Sequence, residues 1–373
     1  MAAFNTIYKS GKYIDNFAPG HYARVLLADT VHSEQAVAFK ILRLEHLLPD
    51  GDISTEYRAF GKEAQLLYDL KDSPHIGHLL DCGYVSAPEE APVTGEIVPL
   101  GRDVSAFQRA MPEYANKGWR PYLALEYLPR TDNLFYLMKP NKPSARRRLP
   151  SEEGLTLALQ FANLLRLAHS RQIVYLDHKL EHVYWDGVTL RVIDFNSSKQ
   201  LLNQAADSAE YAKDIHNLCV GILYPAFTGL SPRKTTLRPQ PGAQDVVDSR
   251  YQDVDELDFA VEPGLSAGLQ AFLQKGAAMQ IHTIDEFIAG LQAVAASHGR
   301  DFPGHYTGAG NREARDRTRK GLQQLREGEK AIREARDLFR EAMILDDLTI
   351  DTEDELRRLV KAVNAMLNQR VIP

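Results

Sequence analysis

The chain has 373 residues, a formal net charge of −6, 25% charged residues, 44% hydrophobic residues and two cysteines. That length suffices for two or three packed units, and the acidic balance excludes general affinity for nucleic acid. No apolar run reaches membrane-spanning length and Met1-Ala2-Ala3-Phe4 lacks the pattern of a leader, so no membrane association and a cytoplasmic location are expected.

The first informative element is Ala36 to Leu42, an apolar, β-branched run that reads as a strand with Lys40 inside it. A charge in such a strand needs a partner. Ser54 to Leu70 has helical spacing, with Leu66, Leu67 and Leu70 on one face and Glu63 beside them, so Glu63 can supply the carboxylate. Cys82 and Cys219 lie in apolar surroundings that suit reduced core thiols. Residues 86–118 carry prolines and glycines around one helical piece, Val104 to Tyr114, and read as a surface insertion. Arg146-Arg147-Arg148, with Lys139 and Lys142 before it, precedes a helix starting near Ser151. This patch reads as a solvated loop, with an acidic partner or a phosphate as the alternative.

Ile173 to Leu176 predicts a short apolar strand running into Asp177-His178-Lys179. Val183-Tyr184-Trp185, the turn Asp186-Gly187 and Leu190 to Ile193 predict two more, the second ending at Asp194. Acids at the ends of buried strands commonly serve as bases or metal ligands. Residues 229–261, rich in Pro, Asp and Gln, read as a long loop before helices from Leu265 to Ala296. A linker through Pro303, Gly304, Gly308 and Gly310 then leads to a charged helix in which Leu322, Leu325, Ile332, Ala335, Phe339 and Ala342 recur at helical spacing. The last helix is predicted from an N-cap at Thr352 to Gln369, with Leu356, Leu359, Val363 and Met366 as a matching stripe. One such pair cannot bury its own face, so it is expected to pack against the preceding part; a dimerisation or docking arm is the alternative.

Taken together these segments resemble the eukaryotic-like serine/threonine protein kinases over roughly residues 7 to 295. Val37-Ala38-Phe39-Lys40 is similar to the family's Val-Ala-Ile-Lys strand, Glu63 to Leu70 to its helix C, and Tyr122 to Leu128 to the strand ending in the adenine-binding hinge, with Leu125 as gatekeeper. Tyr175-Leu176-Asp177-His178-Lys179-Leu180-Glu181-His182 resembles the catalytic loop, Asp194-Phe195-Asn196 the Asp-Phe-Gly triplet, and Asp214 to Leu218 the start of the helix that anchors the larger lobe. Tyr175, Phe195 and Leu67 match positions of the family's internal spine. The fold implied is α+β and bilobal: a small antiparallel sheet lobe with helix C over 1–125, a larger, mostly helical lobe over 126–298, and a linker and helical hairpin over 299–373.

The function implied is ATP-dependent phosphoryl transfer to a Ser or Thr hydroxyl, on an unknown protein or small-molecule acceptor. Asp177 would be the base, Lys179 would offset charge on the moving group, and Gly20, Val25, Ala38, Lys40, Glu63, Glu126 and Leu128 would hold the nucleotide. Asp194 and His182 match the metal-binding positions for Mg²⁺ or Mn²⁺. Imidazole in place of the family's asparagine suits Mn²⁺ better, or a site with one metal, and otherwise His182 serves to hydrogen-bond Asp177. Asn196, able to tolerate positive φ, is expected to keep the turn that aims Asp194.

Several positions depart from the family pattern. Ala18-Pro19-Gly20-His21-Tyr22-Ala23-Arg24-Val25 keeps one of the three glycines of the phosphate-covering loop, which should stiffen it. Leu176 replaces the arginine that grips a phosphorylated activation loop. Only 20 positions separate Asp194 from Asp214, and no Ala-Pro-Glu motif stands between them, so the peptide platform is expected to be truncated. These departures leave open the alternative of a pseudokinase, a nucleotide-binding or protein-binding scaffold that transfers nothing.

Overall fold

Side-chain alternation along Ala36–Leu42 sets the architecture of the first third of the chain. Val37, Phe39 and Ile41 point to one face and are buried with Phe4, Tyr8, Leu26, Tyr122 and Ala124, while Ala38 and Lys40 point to the other. The strands are β1 (Ala2–Ala3), β2 (Tyr8–Tyr13), β3 (Ala23–Thr30), β4 (Ala36–Leu42), β5 (Leu79–Ser86), β6 (Glu96–Pro99) and β7 (Arg120–Glu126). They form an antiparallel seven-stranded sheet in the order β1-β6-β5-β7-β4-β3-β2. The computed structural model describes residues 2–15, 20–48, 52–92, 94–139, 146–202, 208–233, 235, 237–240, 244–297, 309–345 and 349–368.

Helix α1 (Thr55–Asp69) starts where the Ser54 hydroxyl accepts from Tyr57 N, and it buries Tyr57, Phe60, Glu63, Ala64, Leu66 and Leu67. Helix α2 (Val104–Asn116), capped by Asp103, lies against it. The expected surface insertion at 86–118 is therefore corrected. It adds β6 to the sheet and puts Val104, Phe107, Met111 and Ala115 into the main core, because α2 carries its own apolar stripe.

The rest of the first compact unit, Met1–Tyr306, is mainly helical. It holds α3 (Leu134–Met138), α4 (Ser151–Ser170), α5 (Ser208–Asn217), which runs into a π-helical turn Leu218–Leu223 and then α6 (Tyr224–Thr228), α7 (Gln244–Ser249), α8 (Ala267–Ala277) and α9 (Ile284–Ser297). Between α4 and α5 lie four short strands, β8 (Ile173–Val174), β9 (Val183–Trp185), β10 (Leu190–Val192) and β11 (Lys199–Gln200). Strands β9 and β10 form a hairpin whose turn is closed by the Asp186 carboxylate, accepting from Val188 N at 2.8 Å and Thr189 N at 2.7 Å. Strand β11 pairs with β8.

The stretch 229–261 is not the loop its composition suggests. Val247, Tyr251, Val254 and Leu257 are buried in it, and α7 forms within it. Arg146, Arg147 and Arg148 are exposed, with Arg148 Nε 3.1 Å from Glu262; Lys142 and the loop residues Ala18 and Pro19 lie outside the described residues.

The second compact unit, Thr307–Pro373, contains α10 (Ala309–Met343) and α11 (Ile350–Asn368), which pack on each other. Ile332, Ala335, Phe339 and Ala342 are half-buried, as are Leu356 and Val363, whereas Leu359 and Met366 are exposed. The side chains of Leu322 and Leu325, and the linker at 303–308, lie outside the described residues. The cap of the last helix is Thr349 rather than Thr352: its hydroxyl accepts from Thr352 N at 3.3 Å, so the helix begins at Ile350. Among the described residues no helix is long and apolar enough to cross a membrane.

Candidate active site

The face of the sheet opposite the Phe39 cluster carries Lys40. In register, Val25 stands across from Lys40, Leu27 from Ala38, Ala38 from Leu125, and Lys40 from Leu123. Val25, Leu27, Ala38 and Leu125 are all half-buried, which leaves a partly open apolar strip beside one buried cation. Gly20 precedes β3, where an added Cβ would lie 2.8 Å from Ala23 O, so the backbone turns tightly there. At the far end of the strip Glu126 N donates to His78 O at 2.8 Å, and Leu128 follows, half-buried.

Lys40 Nζ donates to both Glu63 oxygens, at 3.0 and 2.8 Å, and approaches Asp194 Oδ1 at 3.4 Å. Strand β4, helix α1 and the segment after β10 thus meet at one ammonium. Burial alone would depress the lysine pKa, but Asp194 and Glu63 outweigh it and hold it above the ordinary value. Burial would likewise raise the Asp194 carboxyl, yet the charges of Lys40 and Lys179 hold it well below the usual carboxylate range.

Asp194 has φ +63, so the left-handed residue of this turn is the aspartate itself and not Asn196, as the sequence suggested. Asn196 acts through its side chain instead, Nδ2 donating to Asp194 Oδ1, while its amide oxygen is buried without a hydrogen-bond partner.

The second acid is positioned from the helical side. Asp214 of α5, fully buried, accepts from Tyr175 N at 2.8 Å, Leu176 N at 2.7 Å and His169 Nε2 at 3.0 Å. These bonds hold Leu176 at φ +65, a costly conformation for a leucine, and so turn the chain to present Asp177. Asp177 is 3% exposed. Its Oδ2 lies 3.5 Å from Lys179 Nζ and 3.4 Å from His182 Nδ1, and its Oδ1 lies 3.1 Å from Arg250 Nη2. Burial pushes the Asp177 carboxyl up in spite of Lys179 and Arg250.

His182 links the two acids, because its Nε2 is 3.4 Å from Asp194 Oδ2. Burial, reinforced by Lys179, drives its pKa well below the ordinary value and keeps the ring neutral at pH 7. The Tyr175 hydroxyl braces the same region, donating to Ile193 O at 2.9 Å.

Lys40, Glu63, Asp177, Lys179, His182 and Asp194 therefore converge from four chain segments, with Val25, Ala38 and Leu125 on the adjoining strip and Gly20, Glu126 and Leu128 at its ends. Sequence reasoning missed Arg250, which enters 73 positions after Asp177 from a stretch without periodicity. Among the described residues no group of three or more His, Cys, Asp or Glu side chains forms a ready cation cage. Asp194, with the Asn196 amide oxygen orphaned two residues on, offers oxygen donors that suit a hard cation keeping most of its ligands from water or phosphate, whereas the His182 imidazole, 3.4 Å from Asp194 Oδ2, suits one poorly. No family model and no curated protein matches this chain.

Proposed function

We propose that this chain is an ATP-dependent phosphotransferase with a bilobal, protein-kinase-like fold, moving the γ-phosphoryl group to a hydroxyl acceptor. The observation that carries the reading is the Glu63–Lys40–Asp194 chain of contacts set beside Asp177. Lys40, kept charged by its two carboxylates, would bind α- and β-phosphate oxygens, while the apolar strip formed by Val25, Ala38 and Leu125 would take the base. Glu126 and Leu128 would present their backbone to its edge. A divalent cation held by Asp194, with His182 or Asn196 beside it, would neutralise charge on the phosphates. Asp177 would accept the proton of the acceptor hydroxyl, with Lys179 offsetting charge on the transferred group.

A second reading is a scaffold that binds nucleotide without transfer. It is favoured by the enclosure of Asp177, whose two oxygens face Arg250, Lys179 and His182. The deciding experiment uses ATP labelled at the γ-phosphate, with Mg²⁺ and Mn²⁺ in parallel, and follows label on the protein and on a generic protein acceptor. Transfer lost on Asp194→Ala and Asp177→Ala supports the phosphotransferase. Nucleotide-dependent thermal stabilisation with no transfer supports the scaffold.

A further inference from the structure

We infer that Arg250 is a positioning residue for Asp177, an inference that rests on the phosphotransferase reading and adds to it a residue from outside the catalytic loop. Three observations carry it. Arg250 is 4% exposed and its Nη2 lies 3.1 Å from Asp177 Oδ1, on the side away from Lys179 and His182, which face Oδ2. The guanidinium is itself held, because Nη1 donates to Gln240 Oε1 at 2.5 Å. Gln240 is in turn fixed twice: its backbone N–H donates to Glu181 Oε1, within the loop that carries Asp177, and its Nε2 donates to the Tyr251 hydroxyl at 2.6 Å.

Burying an arginine is expensive unless its charge is met, and here the Asp177 carboxylate faces Nη2 while Gln240 meets Nη1. The frame is closed on itself. It runs from Asp177 to Arg250 and Gln240 and back to Glu181, four residues after Asp177. With Asp177 Oδ1 facing a fixed cation at 3.1 Å and Oδ2 facing Lys179 and His182, rotation about Cβ–Cγ takes both oxygens away from these partners, which favours Oδ2 toward His182 and Lys179, where Asp194 is also reached. Positioning of this kind acts on the chemical step, since displacing a reacting group by about 1 Å can cost on the order of 100-fold in rate.

The test compares wild type with Arg250→Met, Arg250→Lys, Gln240→Ala and Asp177→Asn in the full chain. γ-Labelled ATP with Mn²⁺ or Mg²⁺ is supplied, label is followed to water and to the protein, and kcat and KM for ATP are measured with unfolding midpoints alongside. Arg250→Met should lower kcat on the order of 100-fold with little change in KM, Arg250→Lys should recover most of that loss, and Gln240→Ala should lose rate in the same direction but less. A rate for Arg250→Met equal to or above wild type overturns the inference while leaving the phosphotransferase reading intact, and so does a parallel collapse of ATP binding. Should Arg250→Met fail to fold, the lysine and Gln240 variants decide by the same criteria. Absence of any Asp177-dependent transfer in wild type overturns the phosphotransferase reading, and the role of Arg250 falls with it.

Discussion

The Lys40 ammonium and the Asp194 carboxylate, 154 positions apart in the chain, stand 3.4 Å from each other, and Glu63 meets the same ammonium at 2.8 Å. Glu63 is 1% exposed, so truncating it leaves a buried cation with only the more distant partner. Glu63→Ala is therefore expected to cost about 3 kcal/mol of stability, measured by denaturant unfolding at pH 7. A loss under about 1 kcal/mol would show the pair to be solvated in solution.

The two aspartates should respond to neutralisation with opposite signs. The Asp194 pKa is depressed, since Lys40 and Lys179 outweigh burial, so its charge stabilises the fold above the unfolded carboxylate pKa. That contribution is lost only as pH falls through the lower folded value. The Asp177 pKa is raised by burial, so its charge opposes folding at neutral pH, and the stability gained on protonation disappears as pH rises through the folded value. Asp194→Asn should accordingly lower the melting temperature at pH 7, with the deficit closing in strong acid, while Asp177→Asn should leave it unchanged or raise it. Melting curves of both variants across the acid range check this, and a shared sign at pH 7 would refute it.

The segment 86–118 belongs to the core. Phe107 is fully buried, its ring 5.1 Å from that of Tyr84, and the Tyr84 hydroxyl donates to Phe107 O. Phe107→Ala should destabilise by about 3–5 kcal/mol, and removal of the whole segment should prevent folding. A melting temperature unchanged by Phe107→Ala would restore the surface-insertion reading.

Gln172, just past the end of α4, has φ +59 while its carbonyl accepts from Leu201 N at 2.7 Å. Glycine adopts that conformation without the penalty of a Cβ. Gln172→Gly should raise stability by about 1 kcal/mol, seen as a higher denaturant midpoint at unchanged slope.

How far the sequence reveals this arrangement depends on whether each contact leaves a local trace. Lys40 is legible because an isolated charge in an apolar strand demands a carboxylate, and the amphipathic helix carrying Glu63 follows directly. Asp177 and Asp194 are legible as acids ending apolar runs. Arg250 leaves no such trace: its contact is made across 73 positions, out of a segment whose Pro, Asp and Gln content reads as loop, and only the folded chain brings it to Asp177. The positive φ fell on Asp194 rather than Asn196 because residue tolerance is a weak guide when surrounding bonds dictate the backbone. The cap of α11 slipped from Thr352 to Thr349 because two threonines at that spacing offer equivalent signals.

Asp214 fastens the backbone ahead of Asp177 to α5 by two short bonds, whereas Lys40 is carried by the sheet and approaches Asp194 at 3.4 Å. The acid at 177 is thus fixed to α5 and the lysine to the sheet. What joins the two is the turn at Asp194, which meets Lys40 at 3.4 Å and, through Asn196 O, Lys62 Nζ of α1 at 3.4 Å, so the geometry of that turn sets how the lysine stands to Asp177.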